Sequence, residues 1–152
     1  RYENTLDIYD QVIAITPDLA EGWRRKGFCA LKSERYESAR DAYQRGLEIL
    51  PDDSDMLASR GYAEGKLGDY LAAMSAIDRA LEIDPENARA YMLKGEIHSM
   101  YGERTEAMKM LDTALRFDPH NPDIFNSFFI VQMKNGDYLG AAISYFRSAI
   151  AF

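Results

Sequence analysis

The 152-residue chain contains one cysteine, two histidines, one tryptophan and five prolines. Each scarcity removes a class of explanation. A lone cysteine, Cys29, excludes an intrachain disulfide and fits a reducing, cytoplasmic compartment. His98 and His120 lie in different settings, and neither has a cysteine or carboxylate at metal-ligand spacing, so no metal is expected. No apolar run approaches the roughly 20 residues that span a bilayer, and no basic-then-apolar leader is present. The chain begins at Arg1 and not at a methionine, which leaves room for a removed leader. Dense basic clusters are also lacking. The only one, Arg24-Arg25-Lys26, is balanced by acids within its own stretch, so phosphate neutralisation and nucleic-acid binding are not expected. The net charge of −7 lies mainly in residues 1–19 and 54–87, where it reads as a solvated face that keeps the chain soluble.

What the chain has is a period. Pro17, Pro51, Pro85 and Pro119 follow one another at 34-residue intervals, a solenoid signal. Ala39, Ala73, Ala107 and Ala141 share one phase, and Ala80 and Ala114 share another, with Gly46 and Ser148 in the remaining copies. Aligned without gaps, the copies run 20–53, 54–87, 88–121 and 122–152, preceded by half a copy at 1–19. Position 4 is always large and apolar (Trp23, Leu57, Tyr91, Phe125), and position 8 is Gly27, Gly61, Gly95 and then Phe129.

Each copy reads as a helix pair. Gly68 suits the left-handed turn that closes one helix, and Asp69 can cap the next. Tyr70, Met74, Ile77 and Leu81 form one apolar stripe, with Ala73 and Ala80 small enough for a neighbouring backbone to approach. Pro85 ends that helix, and Glu86 or Asn87 can cap the one after it. The same logic predicts helices over 2–15, 20–32, 36–49, 55–67, 70–83, 89–101, 104–117, 122–134 and 138–151. Their two- to five-residue connections suit antiparallel hairpins.

Trp23-x3-Gly27, Gly68-x-Tyr70, Ala73-x6-Ala80 and the terminal Pro85 resemble the tetratricopeptide repeat over the whole chain. The departures are Glu34 for the mid-repeat glycine, Arg104 for the aromatic, and Phe129, near which altered helix crossing is expected. The resemblance implies an all-α, right-handed α-solenoid of tandem helix-turn-helix repeats, forming one array over 1–152 that reads as a segment of a longer protein.

Catalysis is not expected. Cys29 sits where other copies carry Ala63, Ile97 and Val131, which makes it a packing thiol. The glycines recur at helix-end and helix-packing phases and build no phosphate-cradling loop. No cofactor is implied. In this family the first helices line a concave face, which assigns partner binding to Arg24, Phe28, Tyr62, Arg89, Met92, Glu96, Asn126, Ile130 and Met133. These are side chains of the kinds enriched in binding centres. The expected occupant is a peptide segment or protein partner with apolar anchors and an acidic group.

The Lys/Asn/Arg pattern with which some relatives hold a chaperone's terminal carboxylate is absent. The corresponding positions read Arg24, Phe28, Ser59, Arg89, Leu93 or Ala58, Tyr62, Leu93, Asp123, Ser127. Two other expectations stand beside the scaffold. One is a self-assembly module stacking through Tyr145, Phe146, Ile150 and Phe152 at one end and Leu6 or Tyr9 at the other. The other is an array recruiting substrates to an enzyme domain elsewhere.

Overall fold

A computed structural model of the chain describes residues 2–150. Among the described residues there are nine α-helices and no strand: α1 Tyr2–Ile15, α2 Ala20–Lys32, α3 Tyr36–Ile49, α4 Ser54–Lys66, α5 Tyr70–Ile83, α6 Ala88–Met100, α7 Arg104–Phe117, α8 Pro122–Lys134 and α9 Tyr138–Ile150. Helices α4 and α6 begin and end one residue earlier than the periodicity suggests, because Asp53 and Asn87 act as their caps. Asp53 Oδ1 accepts from the Met56 amide at 2.8 Å, and Asn87 Oδ1 accepts from Ala90 at 2.9 Å. Asp69 caps α5 through the Ala72 amide at 3.0 Å. Ala151 and Phe152 lie outside the described residues.

The helices form two compact bodies, one ending at Pro85 and holding α1 to α5, the other starting at Glu86 and holding α6 to α9. In the first, each helix packs on the next and α2 also touches α4. In the second, α6 packs on α7, α7 on α8 and α8 on α9, and α6 also touches α8. Both bodies are thus built from hairpins whose first helices are neighbours.

Position 8 shows why the hairpins are tight. A Cβ on Gly61 would lie 2.8 Å from the Ala73 carbonyl oxygen, and one on Gly95 would lie 3.0 Å from that of Ala107. The paired backbones leave no room for a side chain. In the first repeat the Tyr43 ring fills this space, 2.8 Å from where a Gly27 Cβ would stand. Phe129 occupies the equivalent place in α8, and the consequence falls on Tyr145. Its counterparts Tyr43, Ile77 and Leu111 are buried, whereas Tyr145 is 60% exposed, its ring 6.0 Å from Phe129. One ring has taken the space that the other would use.

The turns within repeats repeat a second constraint. Gly68, Gly102 and Gly136 have φ of 95°, 82° and 74°, and Glu34 adopts φ 59° at the same phase. A side chain in the left-handed region costs roughly 1–2 kcal/mol, and glycine removes that cost. Glu34→Gly is therefore expected to raise stability by about 1 kcal/mol and Tm by about 2–4 °C, as read by a thermal melt. An unchanged or lower Tm would show that Glu34 gains something there that offsets the strain.

Candidate protein-interaction surface

In the amino-terminal body the predicted surface residues separate into two kinds. Phe28 on α2 is 40% exposed, and Tyr62 on the adjacent α4 is half-buried. Lys32 Nζ stands 5.4 Å over the Phe28 ring and Lys66 Nζ 5.6 Å over the Tyr62 ring. The two neighbouring first helices thus present the same device one repeat apart, an aromatic with a cation four residues on. The signal for this device in the sequence is a lysine four residues after each aromatic, repeated in consecutive copies.

Arg24, expected to face a partner, is also engaged within its own body. Its Nη2 is 2.5 Å from Asp53 Oδ2, and its Nε is 3.3 Å from Glu21 Oε2. Because Asp53 also caps α4, the guanidinium ties α2 to the start of α4. The guanidinium is thus a structural link on a side chain that stays 38% exposed, and Lys32 and Lys66 are the cations that stand over the aromatics.

In the carboxy-terminal body Met92 is 8% exposed, so it belongs to the core of its body and not to a contact surface. Periodicity places Met92 on α6, but only the packing of the folded chain shows that this position is covered. Glu96 is half-buried and accepts a hydrogen bond from Ser127 Oγ at 2.5 Å, linking α6 to α8. Arg89 is half-buried. Asn126, Ile130 and Met133 are exposed along α8, forming a polar-to-apolar strip on one first helix.

Cys29 and His98 are committed to packing, whereas His120 is exposed in the loop before α8. Cys29 is buried, and burial pushes its thiol pKa up, away from the thiolate a nucleophile needs. His98 is buried with Nδ1 2.5 Å from the Glu103 carboxylate at the start of α7. Among the described residues no three His, Cys, Asp or Glu side chains gather as metal ligands, and no helix is long and apolar enough to cross a membrane.

Tandem hairpins with paired first helices, carrying exposed aromatic and aliphatic residues, define a helical-repeat scaffold for protein interaction. Family models described as tetratricopeptide repeat match residues 20–53 and 66–126. The chain belongs to the tetratricopeptide repeat family. The first match coincides with the first complete repeat, Ala20 to Asp53.

No curated protein matches the sequence. Similar solved structures include TTC0263, a thermophilic tetratricopeptide repeat protein of Thermus thermophilus, with TM-score 0.86, 19% identity, 97% of this chain and 81% of that one. PilW, a type IV pilus biogenesis factor, gives TM-score 0.76 and 19% identity over 99% of this chain and 70% of its own. YrrB, a repeat protein with an unusual peptide-binding site, gives 0.59 and 19% over 99% and 77%. At these identities the likeness is one of fold.

Proposed function

We propose that the chain is a non-catalytic scaffold whose first helices hold a peptide segment or partner protein, with the patch on α2 and α4 as the principal contact. The observation that carries this reading is the pair Phe28 and Tyr62, accessible aromatics on touching helices, each under a lysine. Aromatic faces supply the desolvated contact area on which hot spots are built, and the lysines favour a carboxylate nearby. The occupant is an extended or helical segment with apolar anchors spaced to meet successive repeats and at least one acidic group. The peptide-binding site of YrrB lends the reading support from a protein of the same fold. In α8 the strip Asn126, Ile130 and Met133 offers a second such surface.

A displayed peptide library selected on the 152-residue chain tests this. Selected peptides are expected to combine apolar anchors with an acid. Tyr62→Ala should weaken them about 30-fold, mainly by faster dissociation. Lys66→Ala should instead slow association and flatten its salt dependence. Glu82, on exposed α5 and paired with Arg79 at 3.2 Å, serves as the control. Peptides that survive Phe28→Ala and Tyr62→Ala together but fail with Glu82→Ala would move the functional surface to the second helices.

A further inference from the structure

Two second helices carry an ion pair that α9 lacks. In α3 Arg45 Nη1 lies 3.0 Å from Glu48 Oε2, and at the same phase in α5 Arg79 Nη1 lies 3.2 Å from Glu82 Oε2. Arg79 is also held from the preceding repeat, its Nη2 3.3 Å from Asp52 Oδ1. Helix α9 has the arginine as Arg147, but Ile150 stands at the phase of Glu48 and Glu82, and His120 at the phase of Asp52. Arg147 is exposed and makes no ion pair among the described residues. This exposure belongs to the register. Asp41, Arg45 and Glu48, the counterparts of Ile143, Arg147 and Ile150, stay exposed in α3 although α4 packs against that helix.

A second departure lies beside the first. In the amino-terminal body Arg60 of α4 donates to Gln44 Oε1 of α3 at 2.8 Å, and its Nε is 3.5 Å from Glu64. In the carboxy-terminal body these three phases hold Phe128, Asp112 and Gln132. An aromatic ring thus stands in place of the bridging guanidinium. Helices α7 and α9 do not pack on each other, and between them over α8 lies an opening of about 270 Å³, with Phe125 and Phe128 from α8, Leu115 from α7 and Ile143 from α9 among its apolar walls. Asp112 lines it from α7 and Arg147 from α9. Arg147 also borders a smaller opening of about 200 Å³ with Pro119, His120 and Ile150.

We propose that this face binds an acidic peptide segment of a partner protein, with one bulky apolar side chain entering the opening between α7, α8 and α9 and a neighbouring carboxylate meeting Arg147. The acid is argued from charge. The carboxylates that engage Arg45 and Arg79 from within the chain have Ile150 and His120 in their places here, so an external carboxylate reaches Arg147 without displacing one, and a guanidinium beside apolar walls favours a bidentate acid. Asp112 on the facing helix sets the direction, because it repels an acid from that side. Residues 88–152 carry seven Lys or Arg and seven Asp or Glu, so the net charge of the chain does not oppose an acidic segment at this end. The peptide is argued from size. The opening is smaller than the roughly 300–1,000 Å³ of sites that enclose a small ligand, and it suits one side chain of a longer segment. A second copy is the weaker occupant, since Leu6, expected above to stack on another copy, is buried against its own body. The site shares no residue with the patch on α2 and α4 and stands independently of it.

A displayed library of random peptides, selected on the Phe28→Ala/Tyr62→Ala chain so that the α2 and α4 patch is removed, is the test, with affinities of enriched peptides read by fluorescence anisotropy. Enriched peptides are expected to place Asp or Glu beside Trp, Phe or Leu. Arg147→Glu, a surface change whose helicity is checked by circular dichroism, should weaken them about tenfold. Ile150→Glu, which supplies the acid found at this phase in α3 and α5, should weaken them about fivefold by engaging Arg147 from within. Replacing the peptide's acid by its amide should weaken binding to the parent and cost nothing further in Arg147→Glu. No enrichment, enriched peptides without an acid, or binding indifferent to Arg147→Glu would overturn the proposal and leave the reading of α2 and α4 in place. With no peptide enriched, decanoate binding that is lost in Arg147→Glu would assign the face to a small amphiphile instead, and self-association in sedimentation velocity that is lost in Arg147→Glu would assign it to a second copy.

Discussion

Tyr43→Ala is expected to destabilise the amino-terminal body by about 3–5 kcal/mol. The side chain is 2% exposed, and its ring lies over Gly27, 2.8 Å from where a Cβ would be. Truncation removes the buried ring and also leaves a void facing a residue with no side chain to fill it. Trp23 is the only tryptophan and lies one turn from Gly27 on α2, so its fluorescence during denaturant unfolding reports on this body. The pair can be tested as a cycle. Gly27→Ala should be destabilising in the wild type, where its methyl meets the ring, and should recover part of the loss in the Tyr43→Ala background, where the ring is gone. Additive effects would mean that ring and glycine do not share one space.

Ala73→Leu is expected to cost about 1–3 kcal/mol, because added methylenes in a filled contact force side chains and backbone apart. Ala73 is fully buried, and its carbonyl oxygen, together with Ile77 Cγ1 and Ala76 Cβ, leaves no room for a side chain at Gly61. Expansion on α5 therefore acts on a contact with α4 that is already closed. The loss should appear first as faster amide exchange in α4 and α5, since stability in a repeat array is set by each repeat and its neighbours. Unchanged exchange in both helices would show that the two backbones are further apart than the register demands.

The hairpins, their register and the places where they touch are all legible in the order of residues alone. The 34-residue period, the glycines at Gly27, Gly61 and Gly95, and the capping residues Asp69 and Asn87 are local or strictly repeated signals. The helices begin and end within a residue of where those signals put them. Local chemistry suffices there, because a cap or a left-handed turn involves neighbours in the chain. Which polar and apolar groups stay free is a matter for the folded chain. Arg24 reads as an available cation until Asp53, 29 residues away, is seen 2.5 Å from it. Met92 reads as a contact residue until its burial places it in the core. Lys32 and Lys66 gain a role once their rings are seen beneath them. Exposure depends on contacts between residues distant in the chain, and a repeat pattern says which positions are equivalent without saying which of them are already spent on a neighbour.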